Sequence, residues 1–382
     1  MTAVLGSALG LATTGPAAAA AARPHQVQIP TLHTMRPMYD VGLTSHLALP
    51  AAAGPITGSI PNFSASINDH GTTFTYRMAG KNPMVKQAAP STTVKTIVVP
   101  LIIKLPGTGG TYDPTRGNSC DSTSALTRTM ASPVFTSHPF SFGGTSVGST
   151  QYVDAYQRAN FWNYVKPGAV NPGYHVLLRK NTIPAQTVTV PSSAAAVGTA
   201  KCGKLGAVEI NWLNNYLRTT LIPRLRVNGV TPTTFPLFLT QNVVEYINTA
   251  GNCCVLGFHS AYNNGGHLQT YGISMYDNTG DFAGSGDVSV LSHEVAEWMD
   301  DPFVNNRTKP WGHIGQVSGC QSNVENADPL SGTVKPVTMA GKTYHVQELA
   351  FFSWFYHQVP SIGINGWYSD YGKFRQPAAV CS

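Results

Sequence analysis

The run GDVSVLSHEVAEWMDDP at positions 286–302 constrains this chain more than any other stretch. Asp287 is placed to cap a helix running from Val288 to about Asp300. Pro302 ends it, because the residue before a proline is pushed out of helical geometry. On a helical wheel Val288, Leu291, Val295 and Trp298 share one face. His293, Glu297 and Asp300 lie opposite, with Glu294 and Asp301 beside them. A helix that buries its apolar stripe therefore presents His293 and Glu297 together, one turn apart, which is the relation a metal ion needs of two ligands on one helix.

The surrounding charge pattern favours a cation at that place. No Lys or Arg occurs between Arg226 and Arg307, whereas Glu245, Asp277, Asp281, Asp287, Glu294, Glu297, Asp300 and Asp301 all fall there. Clustered carboxylates repel one another unless they are solvated, protonated or neutralised. In the H-E-x-x-H pattern of metallohydrolases two histidines bind the metal and the glutamate between them activates a water. Here Glu297 stands where the second histidine would be, so His293 and Glu297 are the candidate ligands and Glu294 the candidate general base.

Asp301 is excluded as a third ligand. Eight residues of helix rise about 12 Å, against metal–ligand bonds of about 2 Å. The leading candidate is Glu325 in the segment VENADP at 324–329, with His313 and His345 as rivals. Asp328, three residues on, is placed to orient the imidazole of His293. Tyr368 and His345 are candidates for stabilising an oxyanion. A second carboxylate ligand leaves the metal less electron-poor than two imidazoles would. The expected cofactor is a divalent metal, zinc foremost, with calcium or manganese as alternatives.

The 382 residues are enough to bury a sizeable core. Only 11% are charged, so Thr, Ser, Asn, Gln and Gly must cover much of the surface, a composition suited to an extracellular setting. The net charge of +6 is not gathered into Lys/Arg runs interleaved with aromatics, which argues against nucleic acid as a partner. Residues 1–22 read as the apolar core and small-residue region of a secretory signal peptide, without its basic n-region. No later apolar run is long enough to span a membrane. Six cysteines, Cys120, Cys202, Cys253, Cys254, Cys320 and Cys381, fit an oxidising compartment and up to three disulfides. The neighbours Cys253 and Cys254 are expected to pair with different partners.

Residues 23–94 are rich in Pro, Gly, Ala, Ser and Thr and read as an N-terminal extension or a propeptide. Within them 71–78 alternates like one arm of a hairpin. Residues 95–382 form the main domain. Strands are expected at 95–105, 174–178, 235–240, 254–259 and 271–276, and helices at 152–164 and 209–225 before the His293 helix. That order gives an α/β or α+β fold.

The run at 286–297, followed by Asp301-Pro302-Phe303-Val304-Asn305, resembles the exordium/phosphate-induced protein family of plants, which carries a similar "HELAE…NPLVN" stretch. Leu237-Phe238-Leu239-Thr240, Cys254 with Gly257-Phe258-His259, and Glu325-Asn326-Ala327-Asp328 are similar to further segments of that family, in the same order. Asp301 stands where the plant pattern has Asn. The resemblance covers about residues 235–330. It implies a relation to zincin-like metallopeptidases, with a mixed sheet over the His293 helix and a secreted or cell-wall setting. Together these readings point to a secreted metal-dependent hydrolase acting on peptides or a cell-surface polymer. The alternative is a non-catalytic extracellular protein that keeps the fold and a structural cation.

Overall fold

The computed structural model describes residues 54–382 except position 283, together with the short strands His25–Gln26 and Met38–Tyr39. The fold is mixed α+β. Its centre is one large sheet made of β1 (His25–Gln26), β2 (Met38–Tyr39), β3 (Thr92–Leu105), β4 (Gly110–Tyr112), β5 (Val176–Thr182), β6 (Gln186–Thr189), β7 (Ala195–Thr199), β8 (Lys204–Glu209), β9 (Phe235–Gln241), β10 (Val243–Tyr246), β11 (Cys253–Asn264) and β12 (His267–Tyr276). The main path runs β1-β7-β8-β10-β11-β12-β9-β3-β6, with β4 and β5 also on β3 and β2 on β11. Parallel pairs (β9 with β3 and with β12, β8 with β10) mix with antiparallel ones (β10 with β11, β11 with β12).

The central strands are buried on both faces, as expected of the near-continuous apolar runs in β3 and β9. Side chains alternate between two cores. Val98, Leu237 and Leu239 point to one, while Ile97, Val99 and Phe238 point to the other. The second core is covered by α2 (Ile210–Tyr216) and the turns that continue it to residue 228. The first holds α1 (Tyr152–Asn160) and α3 (Ser289–Asp300).

The hairpin Asn62–Asp69/Thr72–Ala79 confirms an arm at 71–78 and is built into the first core through Tyr76 and Met78. Asn306 fastens it, accepting from Arg77 N and donating to Arg77 O. The cysteines pair as Cys120–Cys202, Cys253–Cys254 and Cys320–Cys381. The expectation of separate partners for Cys253 and Cys254 is corrected: they join each other at the start of β11. No helix among the described residues is long and apolar enough to cross a membrane.

Candidate metal centre

Helix α3 forms within one residue of its expected span and stops at Asp300, before Asp301-Pro302, but its start is built differently. Asp287 has a left-handed backbone (φ 36°) and does not cap the helix; its carboxylate accepts from His345 N at 2.9 Å and pairs with His345 Nδ1 at 2.8 Å. Ser289 Oγ instead accepts from Gly286 N at 2.9 Å. At the other end Asp301 closes the following turn by accepting from Asn305 N and Asn306 N, each at 2.9 Å.

All twelve residues of α3 are buried, so the polar face is not a solvent face. Val290, Glu294 and Trp298 look toward the sheet. Val290 joins the cluster of Cys254, Leu256 and Met275. Trp298 stacks on Phe235 of β9 (centroids 3.9 Å apart) and donates to Thr270 Oγ1 of β12 at 3.0 Å. Glu294 sits between them against β11, where Gly257 makes room: a Cβ there would lie 2.9 Å from Glu294 Oε1. Leu291 and Val295 pack into the first core.

The flank carrying His293, Glu297 and Asp300 meets the loop at 325–328. Asn326 donates to Ala296 O at 3.0 Å and to Asp300 Oδ2 at 2.9 Å, and Ala327 N donates to Glu297 Oε1 at 3.3 Å. Asp300 is taken up by these bonds and by Tyr156 and Gln157 of α1, so it anchors elements rather than offering a ligand.

His293 is oriented by a residue the sequence did not single out. Its Nδ1 meets Gln347 Oε1 at 3.0 Å. Gln347 lies in the hairpin Val334–Met339/Lys342–Gln347, its amide nitrogen donates to Ala327 O, and its backbone N donates to Ser292 Oγ at 3.0 Å. With the amide so fixed, Nδ1 carries the proton and Nε2 points at the carboxylates, 3.1 Å from Glu297 Oε1 and 3.5 Å from Asp328 Oδ1. Asp328 therefore stands on the ligand side of His293, and the orienting role expected of it belongs to Gln347. Glu325 is buried nearby, accepts from Asn323 Nδ2 at 2.9 Å through Oε1, and leaves Oε2 without a hydrogen-bond partner.

A second histidine completes the cluster. His259 on β11 faces α3 on the same side as Gly257, and its Nδ1 lies 3.7 Å from both Glu294 Oε2 and Glu297 Oε2. Two groups thus have ligand atoms close enough to share an ion, His293/Glu297/Asp328 and His259/Glu294/Glu297, all buried. Strand alternation could have revealed His259, since residues 257, 259 and 261 must face one way and Phe258 the other.

The remaining candidates lie elsewhere. His313 is exposed, near the Cys320–Cys381 disulfide. His345 pairs with Asp287, and the Tyr368 hydroxyl donates to Gln358 O at 2.8 Å. A surface cavity of about 600 Å³, walled in part by Lys104, Tyr112, Arg116 and Lys204, shares no lining residue with the cluster.

The electrostatics are those of carboxylates short of cations. Burial, with Glu297, Asp328 and Glu245 adding to it, pushes Glu294 well above the usual carboxylate range. Burial and then Glu297 raise Asp328 to about 6, and the same two causes hold Glu325 well above the usual carboxylate range. Burial raises Glu245 as well. Burial opposes charge on Glu297 too, yet the adjacent His293 holds it below its ordinary value. On His293 burial opposes the charged imidazole, but Glu297, Asp328 and Glu294 outweigh it and raise its affinity for a second proton well above that of an ordinary histidine, a proton whose place at Nε2 a bound cation would take. Burial lowers His259 to about 4, leaving it neutral as a ligand must be. Among the described residues none of Glu245, Glu294, Glu297, Glu325 and Asp328 is ion-paired to a Lys or Arg, and neither Glu294 oxygen has a hydrogen-bond partner. Imidazole and carboxylate donors around such orphaned oxygens fit a divalent cation.

No family model matches the chain, and no curated protein or solved structure matches it either. The likeness to the exordium family rests on the motif residues alone.

Proposed function

We propose that the protein is a secreted metal-dependent hydrolase acting on peptide bonds or a related extracellular polymer. The observation that carries this reading is the buried His293/Glu297/Asp328 group with Glu294 unsatisfied beside it. His293 and Glu297 would hold the ion from one turn of α3, Asp328 from the loop beyond, and Glu325 would support Glu297. Zinc suits this donor set best, with manganese or calcium as alternatives. When bound, the metal supplies Lewis acidity that polarises a carbonyl and acidifies water.

The chain's own residues do the rest. Gln347 fixes the His293 tautomer. Glu294, ionised once a cation is held beside it, would accept the proton of the attacking water and return it to the leaving amine. Met38–Tyr39 of the same chain already pair in parallel with β11 at Val255 and Gly257, the mode by which extended peptides add to a sheet.

The test is hydrolysis of a broad peptide panel by wild type and Glu294→Gln. Loss of about 10²-fold or more in kcat, with metal still held at His293, supports the reading. Equal behaviour of both proteins on every substrate removes it. The full burial of the cluster favours a second reading, a non-catalytic extracellular protein with a structural cation. In that case metal removal lowers stability, and the panel shows no turnover.

A further inference from the structure

The two ligand groups share one residue, and they share it through different atoms. Glu297 presents Oε1 to His293 Nε2 at 3.1 Å and Oε2 to His259 Nδ1 at 3.7 Å. We propose that the site holds two divalent cations bridged by the Glu297 carboxylate, the second held by His259, Glu294 and Glu297. This rests on the reading that the His293 group binds a metal, and it adds a site on the sheet side of α3.

Three observations carry it. Glu294 is wholly buried and aimed at His259, yet neither of its oxygens has a hydrogen-bond partner. Buried carboxylates left in that state demand a cation or a proton. His259 is brought to the same point by strand alternation in β11, on a different element, with Nδ1 3.7 Å from both Glu294 Oε2 and Glu297 Oε2. The surroundings agree: Glu245, Glu294, Glu297, Glu325 and Asp328 are all buried without a Lys or Arg partner among the described residues. Gly257 is part of the same construction, since its missing side chain lets β11 approach Glu294 closely enough for His259 to reach it.

Two ions bridged by one carboxylate lie about 3.5–4 Å apart, close enough for magnetic coupling. The test takes full-length protein, strips it with a chelator, reloads it with Mn²⁺, and reads bound metal by elemental analysis and electron paramagnetic resonance. Wild type is expected to bind about two ions per chain with an exchange-coupled spectrum. His259→Ala and the milder His259→Asn are expected to bind half as much and to give the six-line signal of an isolated ion. One ion per chain in wild type, with an uncoupled spectrum that His259→Ala leaves unchanged, overturns the second site and leaves the His293 site standing. No bound ion at all overturns both.

Discussion

Gln347 shows how much of the centre depends on a residue with no chemistry of its own. It sets the His293 tautomer from a hairpin more than fifty positions downstream. Gln347→Ala is expected to weaken metal binding about 10- to 100-fold, read by competition with a chromogenic chelator, while the fold survives. Sequence patterning could place His293, Glu294 and Glu297 because their spacing is local to one helix. It could not tell Asp328 from Gln347 as the orienting group, since that depends on which side of the imidazole each element reaches. Strand alternation marks His259 as facing the same way as Gly257, but its partners lie on another element, so its role is not legible locally.

Away from the centre, Asp370 accepts from Leu349 N, Tyr371 N and the Tyr152 hydroxyl, and burial followed by the nearby Glu348 carboxylate raises its pKa to about 8. The folded state thus binds a proton that the unfolded chain releases near pH 4. Stability from this group is full below pH 4 and is lost as pH rises toward 8, on the order of a few kcal/mol in all. Asp370→Asn keeps the backbone acceptor and can donate to Tyr152. It is expected to flatten that slope in urea unfolding between pH 5 and 8 and to stabilise the protein at pH 8. A slope equal to that of wild type would contradict the assignment.

At the scale of elements, α3 is legible as a helix with an apolar stripe, since Val288, Leu291, Val295 and Trp298 all join the first core, but the burial of its polar flank is not. The wheel sets Val288, Leu291, Val295 and Trp298 against a polar face. The structure keeps that stripe in the first core, sends Val290 and Glu294 with Trp298 to the sheet, and covers the polar flank with the loop at 325–328 and the hairpin at 334–347. Helical periodicity registers one buried face and is blind when both are covered. The close approach at Gly257 follows from this packing. Gly257→Ala would push a methyl group into Ile273 O, Val290 and Glu294, each under 3.0 Å from the new Cβ. The expected cost is about 1–3 kcal/mol in thermal unfolding, together with weaker metal binding as Glu294 is displaced. Trp298→Ala, by contrast, is expected to cost about 3–5 kcal/mol through lost packing on Phe235.

At the scale of the whole molecule, the mixed α+β class and most central strands could be read from the chain. Long buried runs such as Thr92–Leu105 and Phe235–Gln241 declare themselves without knowledge of their neighbours. Their order in the sheet does not, because β3 borders β9 across more than a hundred residues. The polar hairpins at 307–323 and 334–347 carry no strong apolar alternation, so periodicity does not reveal them, although one of them delivers Gln347.

The central claim is that the buried residues around α3 form a metal centre. It is tested most directly by elemental analysis of the purified full-length protein alongside His293→Ala, with thermal melts before and after chelation. The account predicts stoichiometric divalent metal in wild type, its loss or marked reduction in the variant, and a fall of several degrees in Tm on chelation that re-added metal reverses. Wild-type protein that binds no divalent ion, and whose Tm does not respond to chelator or metal, would contradict it.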